Sequence, residues 1–405
     1  MKSVFKTSLS LLLIILTLCQ FCILPVFAET TPENTETKEP FTINAPSAIL
    51  MEASTGTICY AKDANKPMAM ASVTKVMTLL LIFEAIDSGH LSLAQEVTIS
   101  EHAASMGGSQ VFLEPGEVQT VETLIKCISI ASANDAAVAM AEAVAGTEEQ
   151  FVAAMNEKAH ALHMENTNFV NCCGLDVENH YSCANDLALA SRELITKYPK
   201  IFDYCQIWQE DITHTTQKGS FPFTLTNTNK LLKQYPYATG LKTGSTSIAK
   251  FCLAATAQKD DITFIAVIMG ADTPKDRFQD ARTLFEYGFL NTSLYYDNIK
   301  EETYDLAIQK GCKDSIICQP QNDFSFLAMN QENLNDIQKK TNLPKSIEAP
   351  CKKGSKIGSI DYYLGDKKIG SIPVVTTESV SKATFSFYLQ QLLTHLVTGD
   401  NRSGR

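Results

Sequence analysis

The segment from Ser72 to Ser88 is apolar on almost every side, and its centre reads Val-Met-Thr-Leu-Leu-Leu-Ile-Phe at positions 76–83. A run of this length is too long for an ordinary strand. A helix that is hydrophobic all round must be enclosed by other elements. The sequence therefore predicts a buried central helix around which the rest of a domain packs.

Strand-like and helix-like patterns are segregated on the two sides of this helix. A strand–turn–strand pattern precedes it, helical periodicity follows it, and three more strand-like runs come last. The predicted strands are 48–51, 57–60, 240–246, 251–257 and 263–269, and the predicted helices are 121–129, 135–144, 148–162 and 184–197. This order favours an α+β domain, spanning residues 45–298, in which a mainly antiparallel sheet packs on helices.

The pattern changes to short β-like runs beyond residue 298. The clearest feature is a hairpin, with strands at 356–364 and 368–375 and a turn at Gly365-Asp366-Lys367. Runs of this kind bounded by turn residues are typical of paired strands. The sequence therefore predicts a small β-rich domain over 299–382, followed by a tail at 383–405.

The N-terminus has the form of an export signal. Lys2 and Lys6 precede an apolar run at 9–24, and small residues stand where a signal peptidase would cut after Ala28. We predict that residues 1–28 are a signal peptide and that 29–44, rich in Thr, Glu and Pro, is a linker. An uncleaved anchor remains open at this point.

The composition excludes some classes of partner. The chain has 45 acidic and 34 basic residues, a net charge of −11, and no long basic run, which argues against nucleic-acid binding. Its 12 cysteines show no zinc-ligand spacing, so the sequence predicts no metal and no other cofactor. Most of them are expected to be small buried thiols, and a disulfide between Cys312 and Cys318 stays open.

Two residues with reactive side chains lie where the central helix begins. Ser72 and Lys75 are three positions apart and therefore share a helix face. The helix N-terminus offers backbone N–H groups and a positive dipole end to an oxyanion. A lysine in dry surroundings can lose its proton and activate the serine hydroxyl. Taken alone, this pattern is more often a helix cap followed by a surface lysine.

Two further short motifs follow in order. Ser132-Ala133-Asn134 lies between two predicted helices, where Asn134 could equally be a helix N-cap. Lys242-Thr243-Gly244 lies on a predicted strand, where Lys and Thr can bind a carboxylate and Gly can let a substrate backbone approach the sheet edge. An ordinary turn is the alternative. The three motifs together, in this order, are those of penicillin-recognising serine enzymes.

Longer segments extend this agreement over about residues 45–290. They are 67–78, 107–109, 113–117, 132–137, 174–176, 180–182, 227–232, 240–246 and 277–278. In these segments the chain resembles the low-molecular-weight penicillin-binding proteins, the serine-type D-Ala-D-Ala carboxypeptidase family. The β-rich segment that follows is similar to the accessory domain of that family. The resemblance implies the penicillin-recognising (β-lactamase/transpeptidase-like) fold.

The resemblance also implies roles for individual residues. Ser72 would be the acylated nucleophile, Lys75 its base, and Ser132 the proton relay toward the leaving group. Asn134 would bind the substrate amide. The backbone N–H groups of Ser72 and Ser245 would stabilise the oxyanion.

Other positions are assigned to binding or left outside the chemistry. The resemblance implies that Lys242 and Thr243 hold the terminal carboxylate of the substrate. Arg277 either attracts the same carboxylate or forms a surface ion pair. His180 belongs to a loop signature and is not expected to be catalytic. Cys173, close to the implied site, would make the activity sensitive to oxidation.

The activity implied is removal of the terminal D-alanine from peptidoglycan pentapeptides by an exported enzyme, with β-lactams as inhibitors and no cofactor. A class A β-lactamase shares the three motifs but adds a Glu in an E-x-x-L-N loop, and no such run lies between Asn134 and Lys242. A non-catalytic penicillin-binding or wall-scaffolding module would be expected to have lost a reacting side chain. Ser72, Lys75, Ser132 and Lys242 are all present.

The tail carries an amphipathic pattern. Apolar residues recur at three- and four-residue intervals: Phe385, Tyr388, Leu389, Leu392, Leu393 and Leu396. A helix of about 14 residues is too short to cross a bilayer core of about 30 Å. It therefore lies in the membrane interface or docks on the β domain. In the family that the chain resembles, such a tail holds the enzyme on the outer face of the cytoplasmic membrane.

Overall fold

The computed structural model describes residues 41–216, 219–329 and 332–398. The predicted signal peptide at 1–28 and residues 29–40 of the predicted linker lie outside the described residues. The described helices are α1 (Lys75–Asp87), α2 (Glu101–Ala104), α3 (Val121–Ile130), α4 (Asn134–Ala145), α5 (Glu148–Ala161), α6 (Ala184–Lys197), α7 (Phe202–Cys205), α8 (Leu231–Gln234), α9 (Pro274–Asn291) and α10 (Phe385–Thr398).

The strands divide into those before and those after residue 291. The first group is β1 (Ser47–Glu52), β2 (Ile58–Lys62), β3 (Glu96–Thr98), β4 (Val118–Thr120), β5 (Gln209–Thr216), β6 (Gly219–Thr226), β7 (Ala238–Thr246), β8 (Lys250–Lys259) and β9 (Ile262–Ala271). The second group is β10 (Thr292–Asp297), β11 (Tyr304–Gln309), β12 (Ser315–Pro320), β13 (Phe324–Met329), β14 (Ile337–Asn342), β15 (Ser346–Glu348), β16 (Lys356–Leu364) and β17 (Lys367–Thr376).

The central sheet is antiparallel and has the order β2-β1-β9-β8-β7. Strands β1 and β9 are buried on both faces, and alternation along them separates two sets of side chains. Ile49 and Val267 belong to the core shared with the helices. Leu50 and Phe264 face α9, whose Gly288 lies so close that a Cβ there would be 2.8 Å from the Phe264 ring. The sheet is therefore covered by helices on both sides.

Helix α1 is the buried element that the sequence predicts. Its residues from Lys75 to Phe83 are all buried, and it packs against α4 and α6. A short 3-10 turn, Ala71–Thr74, leads into it and carries Ser72. Helices α3 and α5 begin at threonine caps. The side chains of Thr120 and Thr147 accept hydrogen bonds from the backbone N–H groups three residues later.

The β-rich region has its own apolar core. Six strands form a sheet in the order β14-β16-β17-β12-β11-β15, and β10 pairs with β13. The hairpin of β16 and β17 turns at Gly365-Asp366, so that prediction is confirmed within one residue. The predicted fold class, a helix-covered antiparallel sheet with a small β domain, is confirmed. The boundary at residue 298 stays a prediction.

The cysteines of the described chain are all free thiols. Cys312 is exposed and Cys318 is buried in β12, where its thiol donates to the Ile316 carbonyl rather than forming a bridge. Seven of the ten are fully or largely buried, in agreement with the expectation of small apolar residues.

Helix α10 presents the amphipathic stripe of the tail. Phe385 and Leu396 are 83% and 73% exposed, and the other stripe residues also face outward. Docking of this stripe on the β domain is therefore not what the structure shows. Among the described residues, no helix is both long enough and apolar enough to cross a membrane.

Candidate active site

The turn that carries Ser72 is held by a neighbouring loop. Ala71 has a left-handed backbone, with φ of +49°, and Gly174 has φ of +88°. A Cβ on Gly174 would lie 1.9 Å from the Ala71 carbonyl oxygen and 2.8 Å from the Ser72 nitrogen. Only glycine allows the two backbones to approach this closely. The segment 171–182, which we call the clamp loop, is therefore pressed against the Ser72 turn.

Lys75 occupies the first position of α1 and is fully buried. Its Nζ lies 3.1 Å from the Ser72 Oγ, 2.6 Å from the Asn134 Oδ1 and 2.7 Å from the Cys173 carbonyl oxygen. The last two atoms can only accept hydrogen bonds, whereas a hydroxyl can donate or accept. A neutral Lys75 amine thus gives its two hydrogens to Asn134 and Cys173, and its lone pair points at the Ser72 hydroxyl.

Asn134 is the first residue of α4, and the helix cap is Ala133, so the alternative interpretation of Asn134 as an N-cap is wrong. Its side chain instead bridges two segments. Its Oδ1 accepts from Lys75, and its Nδ2 donates to the Gly107 carbonyl at 2.6 Å. The side chain is therefore fixed in orientation, because the Gly107 carbonyl can only accept a hydrogen bond and so requires the NH₂ end of the amide.

Ser132 and Lys242 form a second serine–lysine pair. Ser132 has a left-handed backbone, with φ of +62°, and is buried. The Lys242 Nζ donates to the Ser132 Oγ at 2.9 Å and to the Thr243 carbonyl at 2.9 Å. The Thr243 hydroxyl lies 2.7 Å from that of Thr228. The motifs around residues 72, 132 and 242 therefore supply two serine hydroxyls, each bonded to a buried amine.

Gly244 has a role that the sequence does not reveal. A Cβ at this position would lie 2.8 Å from the Met70 carbonyl oxygen and 2.9 Å from the Ser72 nitrogen. The expectation was that glycine here admits the substrate backbone. The structure shows that it first admits the backbone of the Ser72 turn, because β7 lies directly against that turn. Ser245, the next residue, is exposed at the end of β7.

Arg277 is 7% exposed, so the alternative of a surface ion pair is wrong. Its guanidinium donates to the carbonyl oxygens of Gly244 and Cys252 at 3.0 and 3.2 Å. Burial lowers the pKa of Arg277 to about 10. The side chain thereby links the end of β7 to the neighbouring strand β8. Its Nε has no hydrogen-bond partner within the described residues.

The electrostatics of the site favour an anionic ligand. Burial lowers the pKa of Lys75, and it lowers that of Lys242 well below the ordinary value, with the nearby charges of Lys75 and Arg277 acting in the same direction. Neither Lys242 nor Arg277 forms an ion pair with a carboxylate of the described residues. A bound carboxylate would offset their repulsion and favour the charged form of Lys242.

His180, as expected, is not placed for proton transfer to Ser72. Its Nδ1 accepts from the Val170 N–H at 3.0 Å, so its Nε2 donates to the Thr74 Oγ1 at 2.9 Å. Thr74 in turn donates to the Ala71 carbonyl at 2.8 Å. Burial lowers the pKa of His180 to about 4, which keeps the ring neutral. His180 is a positioning residue for the Ser72 turn.

Sequence reasoning missed the backbone atoms of the site. The carbonyl oxygens of Cys173 and Gly107 hold Lys75 and Asn134, and no residue type marks such a role. Thr228, the partner of Thr243, could have been found, because it lies in the 227–232 segment on which the family resemblance partly rests.

Comparison with known proteins agrees with this geometry. The family model of D-alanyl-D-alanine carboxypeptidase matches residues 33–273, more than half of the chain. The chain belongs to the D-alanyl-D-alanine carboxypeptidase family. A second model, the C-terminal domain of penicillin-binding protein 5, matches residues 292–382. The predicted family, a family of serine peptidases, is confirmed.

Individual members of this carboxypeptidase family cover nearly the whole chain. It is 40% identical to the D-alanyl-D-alanine carboxypeptidase DacF of Bacillus subtilis over 350 residues, 86% of this chain and 89% of that protein. It is 33% identical to DacD of Escherichia coli over 366 residues, 88% of this chain and 92% of that protein. Penicillin-binding protein 5 from Haemophilus influenzae has a similar structure, with 29% identity, a TM-score of 0.71, and coverage of 85% and 99%.

Proposed function

We propose that this family member is an exported serine carboxypeptidase that removes the terminal D-alanine from peptidoglycan pentapeptides through an acyl-enzyme on Ser72. The observation that carries the proposal is the pair of serine hydroxyls, Ser72 and Ser132, each bonded to a buried lysine amine. Two such pairs at one site supply a nucleophile with its base and a second proton donor, which acyl transfer requires.

In the acylation step, the lone pair of Lys75 takes the Ser72 proton as Oγ attacks the peptide carbonyl. The 3.1 Å separation of Nζ and Oγ suits this transfer. The N–H groups of Ser72 and Ser245 would stabilise the oxyanion. Ser132, bonded to Lys242, would relay a proton to the leaving D-alanine amine. Asn134 would bind the substrate amide. Water then hydrolyses the ester.

The terminal carboxylate of the substrate would bind at Lys242 and Thr243. Lys242 and Arg277 are buried, and neither forms an ion pair with a carboxylate of the described residues, which supports this assignment. Arg277 lies behind β7, with its donors on two carbonyls, and would act through its charge. Penicillins carry a carboxylate beside a strained carbonyl, so they would occupy the same positions.

The direct test is release of D-alanine from a diacetyl-lysyl-D-Ala-D-Ala peptide by the mature protein. We expect release of one D-alanine per peptide and no release from the matched peptide ending in L-alanine. A protein that binds penicillin at Ser72 and yet never releases D-alanine would contradict carboxypeptidase activity and favour a non-catalytic module.

We also expect the penicillin adduct to persist. The chain lacks the E-x-x-L-N glutamate with which class A β-lactamases activate the deacylating water, while it keeps every group needed for acylation. Mass spectrometry over time should therefore show a long-lived adduct. Rapid turnover of a chromogenic cephalosporin without an accumulated adduct would instead support the β-lactamase alternative.

We propose that the enzyme works outside the cytoplasmic membrane, held at its surface by α10. The exposed apolar stripe of this helix, 14 residues long, supports an interfacial position. We expect the mature protein to co-sediment with liposomes and a chain ending at residue 382 to remain in solution. As a full-length check, Leu392→Glu with Leu393→Glu should also abolish sedimentation. Equal partitioning of all forms would show that α10 is not the anchor.

A further inference from the structure

Two adjacent thiols stand in the clamp loop, and one of them belongs to Cys173, whose backbone carbonyl binds the Lys75 amine. Cys172 and Cys173 are fully buried, and their Sγ atoms lie 3.6 Å apart. The Cys173 Sγ is also 3.6 Å from the Asn134 carbonyl oxygen. None of the proposed catalytic steps uses either thiol.

The same two residues supply backbone acceptors to α1. The Cys173 carbonyl accepts from Lys75 Nζ at 2.7 Å, and the Cys172 carbonyl accepts from the Thr78 hydroxyl at 2.7 Å. Gly174, the next residue, presses on the Ser72 turn. A change in the backbone of 172–173 therefore moves the atoms that orient Lys75.

We propose that Cys172 and Cys173 form an oxidisable site whose reversible disulfide withdraws the Cys173 carbonyl from Lys75 and so switches off acylation of Ser72. The effect on acylation rests on the function proposed above, whereas formation of the disulfide does not.

Geometry explains why the bond would act as a switch. Consecutive Cα atoms across a trans peptide are about 3.8 Å apart, whereas disulfide-linked residues usually have Cα atoms about 4.4–6.8 Å apart. The peptide between neighbouring residues cannot lengthen to that separation, so closing the bond strains both the disulfide and the backbone torsions of residues 172 and 173. Strained disulfides are more easily reduced, which is the property of labile and regulatory ones.

The oxidant that fits a fully buried pair is a small hydroperoxide, admitted by local opening of the clamp loop. The Cys173 thiolate attacks the peroxide, gains one oxygen as a sulfenic acid and releases water or an alcohol. The Cys172 sulfur then attacks the Cys173 sulfur and expels water. Two thiols and one hydroperoxide thus give one disulfide, one alcohol or water, and one water.

The surroundings favour Cys173 as the first sulfur to react. A hydrogen bond from the Cys172 thiol, together with the Lys75 charge, lowers the pKa of Cys173, and donating that bond raises the pKa of Cys172. The more acidic thiol is the one oxidised first, and its neighbour is then positioned to resolve the sulfenic acid.

The test treats the full mature protein with hydrogen peroxide in the presence of a chelator, followed by peptide mapping without reductant. We expect a peptide that contains Cys172 and Cys173 and is lighter by two hydrogen atoms, restored by dithiothreitol. Acylation by labelled penicillin should fall at least about tenfold on oxidation and recover on reduction, since alignment of a catalytic base contributes at least that much.

Three variants locate the effect. We expect the peroxide effect to be lost in Cys172→Ser and in Cys173→Ser, when each is compared with its own untreated form. Cys312→Ser, a control at an exposed cysteine, should keep the effect.

Absence of the linked peptide would overturn the site. A linked peptide with undiminished acylation would overturn its effect on Lys75. Loss of acylation that dithiothreitol does not restore, or that persists in Cys172→Ser, would assign the effect to oxidation other than the Cys172–Cys173 disulfide and so overturn the switch. A reduced protein that penicillin never acylates would refute the proposed function, while the peptide map would still decide whether the disulfide forms.

Discussion

Replacing Ser72 with alanine is expected to abolish covalent labelling by penicillin and release of D-alanine. The proposed reaction passes through an ester on the Ser72 Oγ, and no other group can take that place. Ser132, the other serine of the site, is bonded to Lys242 rather than to Lys75. The measurement is mass spectrometry of the intact protein after incubation with penicillin, followed by peptide mapping of the wild-type adduct.

Ser88→Ala is the matched control for this variant. Ser88 directly follows the opposite end of α1 and is exposed, and its hydroxyl donates to the Ala85 carbonyl. It should label like the wild type. An adduct mapped to another residue, such as Cys173, would refute Ser72 as the nucleophile.

Replacing Lys75 with arginine is expected to slow acylation at least about 10²-fold. Arginine keeps the positive charge but does not give up a proton at working pH, so it cannot serve as the base. Lys75→Met, which retains a long unbranched side chain but removes the amine, should be similarly slow. Thermal unfolding of both variants checks that the fold is retained, since the side chain is fully buried.

Lys126→Arg provides the control, because Lys126 is a lysine near the surface that pairs with Glu210. It should acylate at the wild-type rate. Near-wild-type acylation in Lys75→Arg would rule out Lys75 as the base.

The pH dependence gives an independent test of the same role. A base acts in its unprotonated form, and burial lowers the pKa of Lys75 from its ordinary value of 10.5. The acylation rate of the wild type should therefore rise with pH and level off below the range in which an exposed lysine titrates. A rise located in the range of an ordinary lysine would contradict a desolvated base.

Local patterns were enough to predict the five strands of the central sheet, helices α1 and α3–α6, and the late hairpin, whereas α9 was not predicted. The predicted helix at 184–197 and the first strand of the late hairpin, 356–364, have the observed bounds. Both depend on signals within a few residues of each other: the period of the apolar positions and the turn residues that interrupt it. The three motifs of the site were also readable, because each is a short string whose order along the chain is distinctive.

The sequence by itself determined which reacting groups the chain carries, and the tertiary structure alone decided how they are oriented. The acceptors that aim the Lys75 lone pair come from residues 59 and 98 positions away. The sequence-based interpretations of Gly244 and Arg277 were revised for the same reason, because each residue contacts backbone that is distant in sequence. Side-chain type encodes chemical capability locally, whereas the direction of a lone pair depends on long-range packing, and carbonyl oxygens carry no sequence signal because every residue has one.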